Sequence, residues 1–186
     1  MGIAIGIAPH TGWAWLVRVR AGPGAASVES RAKVVACEVL DGQLYHLAAD
    51  HRGDRARFLA ERRAEAVAQA GRALDPHLGE VGAAVVLGKQ LTLEPLERIV
   101  AAHPLIHGAE GELWRAIFAE ACRVRGLEVT RAVAEEVRGA LAGRFGGGAI
   151  EAFLAAGKHV VGSPWSREPQ EAALAAWGAL EEGSRS

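Results

Sequence analysis

The sequence predicts an α/β domain in which an antiparallel meander of strands leads into parallel crossovers. Three observations carry that expectation. An isoleucine-rich apolar run opens the chain at Gly2 to Ala8, and aromatic and β-branched residues return at Trp13 to Arg20 after a turn. From Asp54 onward, stretches of helical spacing alternate with short apolar runs. Strands first, then alternating helices and strands, give a sheet flanked by helices.

The run Gly2-Ile-Ala-Ile-Gly-Ile-Ala8 is that of a strand buried on both faces, and Pro9-His-Thr-Gly12 closes it. Trp13 to Arg20 reads as a second strand beside the first, ending in the turn Ala21-Gly-Pro-Gly24. A third strand is expected between about Ser27 and Leu40, where valines and alanines lack a helical period. Asp41-Gly42 signals a tight hairpin, so Gln43 to Ala48 either pairs briefly with strand three or forms a loop, leaving Tyr45 and His46 at a strand edge.

Asp54 to Leu74 is the first long helix, with Phe58, Leu59, Val67, Ala70 and Leu74 recurring near helical spacing. Val81 to Leu87 follows as a buried strand, then a helix capped by Thr92 and ended at about Ala102 by His103-Pro104. Gly111 to Gly126 is a further helix whose closing glycine suits the left-handed conformation. A fifth strand covers Leu127 to Thr130. Helices are expected over Val133 to Leu141, Ala149 to Ala156 and Pro169 to Leu180, with a glycine hinge at Gly146 to Gly148 and a frayed tail from Glu181 to Ser186.

At 186 residues the chain suits a single domain spanning 1–186, with a core that needs no staples. Its two cysteines, Cys37 and Cys122, sit in apolar stretches and read as buried thiols. Met1 to Ala8 lacks a basic leader, and no run reaches the roughly 18 apolar residues of a membrane span, so a soluble cytoplasmic protein without membrane partners is expected. The net charge of −1 gives no global pull toward a phosphate backbone. Arg52, Arg55, Arg57, Arg62 and Arg63 are interleaved with Asp54, Glu61 and Glu65, as on a solvated helix face.

The element order resembles that of the ribonuclease H-like superfamily, which includes Holliday-junction resolvases and uncharacterised bacterial resolvase-like proteins. Ile3-Ala-Ile-Gly-Ile-Ala-Pro-His-Thr-Gly-Trp-Ala-Trp-Leu-Val17 is similar to the resolvase opening of apolar strand, aspartate-proline-glycine turn and Thr-Gly return strand. Glu171-Ala-Ala-Leu-Ala-Ala-Trp177 loosely resembles the family's acidic last helix. The resemblance implies a mixed sheet, with a three-strand meander and then parallel strands. It also locates departures. Ala8 stands where the catalytic members carry a metal-binding aspartate, the fourth strand ends in Leu87-Gly-Lys-Gln90 where a glutamate is expected, and the last acidic positions fall near Pro169 and Ala172, beside Glu168 and Glu171. Two-metal phosphodiester hydrolysis needs carboxylates holding cations about 4 Å apart, so a conventional nuclease is not expected.

Ligands of open α/β sheets bind beyond the carboxyl ends of the strands. That rule selects Pro9-His-Thr-Gly12, Gly88-Lys-Gln90 and the approach to the last helix at Ser163, Trp165 and Arg167. His10, Thr11, Lys89 and Gln90, together with His46, are candidate contacts for an anionic or nucleotide-like ligand, against the alternative of ordinary polar loop tips. His103-Pro-Leu-Ile-His107 followed by Glu110 and Glu112 is the densest group of potential ligands, and His103, His107 and Glu110 are the candidate acid–base set. Histidines four apart on one helix can hold zinc, but Pro104 disfavours continuing the preceding helix, so this pair spans a loop or the start of a new turn, and no metal is expected. Of the five tryptophans, Trp13 and Trp15 share a strand face, Trp114 and Trp177 read as core, and Trp165 as exposed.

Three functions remain open on these residues. The first is a resolvase-like protein that binds nucleic acid or a nucleotide without two-metal cleavage. The second is a hydrolase or transferase using His103 and His107 on a small substrate. The third is an interaction scaffold. The sequence names no cofactor.

Overall fold

The computed structural model describes residues 2–22 and 25–183. A five-stranded sheet has the order β3-β2-β1-β4-β5. Strands β1 (Ile3–His10), β2 (Trp13–Ala21) and β3 (Ala26–Val35) form the antiparallel meander, and β4 (Val81–Leu87) and β5 (Glu128–Ala132) continue it in parallel with β1. Helices α1 (Leu44–Asp50), α2 (Arg55–Leu74), α3 (Leu96–Val100) and α4 (His103–Arg123) lie between β3 and β5. Helices α5 (Ala134–Phe145), α6 (Gly147–Val161) and α7 (Arg167–Gly183) follow β5.

The two layers arise from the alternation along β1. Ile3, Ile5 and Ile7 join one core with Leu74, Trp114, Ile117 and Phe118 of α2 and α4. Ala4 and Ala8 join the other, with Val17, Val85 and Leu87 and the alanines of α7. The face with small side chains lets α7 approach the sheet backbone. A Cβ placed on Gly6 would lie 1.8 Å from the Ala172 carbonyl oxygen. That approach fixes the amino end of α7 over the carboxyl end of β1.

Thr11 and Gly12 make the two-residue hairpin between β1 and β2, with Gly12 at φ +79°. The Gly12 carbonyl accepts from Ala36 N–H at 2.8 Å and Cys37 N–H at 3.1 Å, tying the hairpin to the segment after β3. Strand three therefore ends at Val35 and not near Leu40. Its pairing with β2 slips register between Arg18 and Val19, and its polar residues Glu29, Ser30, Arg31 and Lys33 stand at the sheet edge.

The expected hairpin at Asp41-Gly42 is replaced by a turn into α1. The buried indole of Trp114 donates to the Gly42 carbonyl at 2.8 Å, and a Cβ on Gly42 would meet that ring at 3.1 Å, so the turn is held by the α4 core. The segment from Thr92 forms only the short α3, preceded by Pro95 and not capped by Thr92. Helix α4 begins at His103 and not at Gly111. Pro104 occupies its first turn, where a missing N–H costs no helical bond.

The Asp54 carboxylate accepts from Arg57 N–H at 3.0 Å and caps α2. Gly126 takes φ +80° after α4, as its position implied. Gly146, at φ +81°, ends α5 and starts α6, so the glycine run is a corner between helices. Glu181 to Gly183 belong to α7, and residues 184–186 of the expected tail lie outside the described residues. Cys122 is buried, whereas Cys37 is only half-buried. Among the described residues no helix is long and apolar enough to cross a membrane.

Candidate functional site

His10 closes β1. Its ring lies parallel to Trp13 with centroids 3.9 Å apart, and its Nε2 is 3.0 Å from Glu168 Oε1 on α7. Trp15, two residues along β2, meets Trp13 edge to face at 5.9 Å. The β2–β3 register places Lys33 opposite Trp15, and its ammonium sits 4.3 Å above the Trp13 ring. The Arg31 guanidinium lies 5.3 Å from Trp15 and donates to the Gly162 and Ser163 carbonyls before α7. Aromatic faces and cations thus alternate along one sheet face, leading to the amino end of α7. Lys33 is exposed and both tryptophans are half-buried.

Beneath this strip the sheet is apolar. Ala8, Leu87 and Ala172, three of the positions at which the resemblance looks for metal-binding carboxylates, are buried in one apolar cluster. The nearby carboxylates are otherwise engaged, Glu168 with His10 and Glu171 with Arg167. This donor set does not fit a two-cation centre.

On the other layer, His46 of α1 meets His103 and His107 of α4. One ligand nitrogen from each lies within 4.8 Å of the others, and the His103 and His107 ring centroids are 4.4 Å apart. Because Pro104 lies in the first turn of the helix, the two α4 histidines sit one turn apart on one face, so of the two sequence alternatives the start of a new turn holds and the loop does not. Glu110, one turn further, is 4 % exposed. Its Oε1 accepts from Tyr45 N–H at 2.7 Å and His46 N–H at 3.3 Å, and lies 3.4 Å from His46 Nδ1. Its Oε2 is buried without a partner. Burial pushes this carboxyl above its usual range, against the lowering effect of the Tyr45 and His46 donors. His46 is accordingly on a helix, and not at a strand edge.

The structure therefore gathers His46, His103, His107 and Glu110 into one cluster and places His10 and Thr11 at the end of β1. Lys89 and Gln90 are exposed in the loop after β4, and neither makes a side-chain hydrogen bond or ion pair among the described residues. Below that loop Glu112, which the sequence groups with His103, His107 and Glu110, joins a different set of partners. Glu112, 8 % exposed, takes a two-pronged contact from Arg131 of β5, is 3.6 Å from Arg115, and accepts from Leu91 N–H at 3.3 Å. The α2 arginines are paired as the interleaving implied, Arg57 with Glu61 and Arg62 with Glu65. Trp114 and Trp177 are core, and Trp165 is half-buried with its indole donating to the Leu154 carbonyl. Arg31 and Lys33 were missed, and Glu168, named beside the last acidic positions, was not read as a partner of His10, since these roles depend on strand register and on where α7 crosses.

The sheet order, the meander and the crossovers define a ribonuclease H-like fold. Comparison with solved structures bears this out. The chain is similar to the Thermus thermophilus RuvC structure, with a TM-score of 0.57 at 16 % identity, covering 98 % of this chain and 96 % of that one. It is equally similar to T. thermophilus RuvC in complex with a Holliday junction substrate, with a TM-score of 0.57, 16 % identity and coverage of 100 % and 96 %. Comparison with protein-family models and with curated proteins finds no match.

Proposed function

We propose that this domain binds nucleic acid at the carboxyl end of β1 without cleaving it by a two-metal mechanism. The observation that carries the reading is the strip of His10, Trp13, Trp15, Arg31 and Lys33. Aromatic faces can stack bases in any sequence context; at Trp13, which His10 and Lys33 cover, a base enters by displacing the Lys33 ammonium, which then joins the cations that contact phosphate. The strip sits where ligands of this fold class converge, and a structural neighbour is described in complex with a Holliday junction. With a net charge of −1, affinity has to come from this local patch.

The apolar surroundings of Ala8, Leu87 and Ala172 support the non-cleaving part. Magnesium-type centres require several oxygen ligands, and these positions offer none.

The test is fluorescence anisotropy with labelled single strands, duplexes and four-way junctions across a salt series, with cleavage assayed in Mn²⁺. Binding should weaken with salt, and Lys33→Ala should lower the slope of log affinity against log salt by about 0.7 to 0.9. Trp13→Ala should cost about 1 to 3 kcal/mol, roughly 5- to 150-fold. Absence of binding at about 50 mM salt overturns the reading. Mn²⁺-dependent cleavage lost in Glu168→Gln overturns its non-cleaving part.

A further inference from the structure

We propose that His46, His103 and His107 form a binding site for a divalent transition-metal ion of the zinc type, with Glu110 orienting His46 as an outer carboxylate. The site lies on the α1–α4 layer, apart from the aromatic strip, and does not depend on nucleic acid binding.

Three imidazole nitrogens within 4.8 Å are close to coordination geometry. Zinc–nitrogen bonds of about 2.0 to 2.1 Å put tetrahedral ligands roughly 3.4 Å apart, so ring rotations of about 1 Å complete the site. His103 and His107 are exposed and His46 half-buried, which leaves their rings that freedom. The exposed side keeps a fourth position open to water.

Glu110 is the independent sign. A nearly fully buried carboxylate with one oxygen lacking any partner is costly, and a cation held by the neighbouring imidazoles offsets its charge. Its other oxygen approaches His46 Nδ1, the arrangement in which a ligating histidine presents its remaining nitrogen to the metal. That same oxygen accepts two α1 backbone N–H groups, so one carboxylate aligns the short helix bearing His46 with the helix bearing the other two histidines. The amino end of α4 opposes a cation only weakly beside imidazole coordination of zinc and the Glu110 charge. Imidazole ligands favour zinc, cobalt, nickel or copper over magnesium and calcium.

The experiment titrates tag-free, chelator-treated protein with Zn²⁺ by calorimetry and with Co²⁺ by visible absorption. A single site with 1:1 stoichiometry is expected, with Co²⁺ bands of a low-coordinate nitrogen site. His107→Ala, an exposed substitution, should weaken binding by more than the roughly 10- to 100-fold that loss of an outer partner costs, and Glu110→Gln should fall within that range. Far-UV circular dichroism confirms folding of each variant. Unchanged Zn²⁺ affinity in both His107→Ala and His46→Ala, or no 1:1 binding at millimolar Zn²⁺, overturns the proposal.

Discussion

Replacing Gly6 by alanine tests the close approach of α7 on which the strand-end geometry depends. The added Cβ would sit 1.8 Å from the Ala172 carbonyl oxygen and 2.5 Å from its carbonyl carbon, with backbone on both sides of the contact. Real Cβ atoms keep at least 3.0 Å, so helix and sheet must part by about 1.2 Å. A gap of that size forfeits a quarter to a half or more of the dispersion attraction across the contact. The layer affected holds Ala4, Val17, Val85 and the buried alanines of α7. Overpacking costs about 1 to 3 kcal/mol, and a contact that no side-chain rotation relieves belongs at the upper end, near 3 kcal/mol. With a urea slope of about 2 kcal/mol/M, the midpoint should fall by about 1.5 M. Gly178→Ala on the same helix is the control: its Cβ would meet Val137 at 3.5 Å, an ordinary contact, and helix propensity should make it neutral or stabilising. A Gly6→Ala unfolding free energy matching wild type within about 0.5 kcal/mol refutes the packing argument.

Two further outcomes follow from titrating groups. Burial pushes the Cys122 thiol up to about 12, so native protein should leave it unmodified by an alkylating reagent at pH 8 while urea exposes it; rapid native labelling of Cys122 contradicts the core packing. Burial raises the Glu112 carboxyl, but the Arg131 hydrogen bonds, the Leu91 N–H and the Arg115 charge outweigh it and hold the group below its usual range. Its stabilisation is therefore present above the unfolded value of about 4.3 and is lost as pH falls through the lower folded value. Glu112→Gln, which strands Arg131, should cost about 2 to 3 kcal/mol at pH 7, with the deficit narrowing below about pH 4; a deficit constant from pH 7 to pH 3 contradicts the ion pair.

The opening strands, α2 and the parallel crossovers were legible because each is written locally, in an apolar run before a Thr-Gly turn and in a periodic stretch from Asp54; the boundaries were less so, since β1 pairs on through Pro9 and His10 and Asp54 caps α2 from outside. The histidine cluster was legible only in part. His103 and His107 stood out as neighbours, but Pro104 reads as a stop in sequence and acts as a first-turn residue in the fold, because the chain before it ends α3 at Val100. His46 lies 57 residues earlier on a helix of seven residues with no side-chain cap, held by Glu110 and Tyr45 backbone contacts that only tertiary packing supplies. The aromatic strip was hidden for a similar reason. Trp13 and Trp15 were visible, yet the cations above them come from β3, whose register is set by the hairpin tie at Gly12 and the slip at Arg18.

That slip also bears on how the molecule behaves in a crowded solution. An outermost strand with unpaired backbone groups is a template on which a neighbouring chain can build. Along β3 the irregular pairing increases local twist, and Glu29, Arg31 and Lys33 carry charge along the rim. A strand from another molecule would have to flatten the twist and bury those charges, so the open side of the sheet resists self-templated stacking even at high concentration.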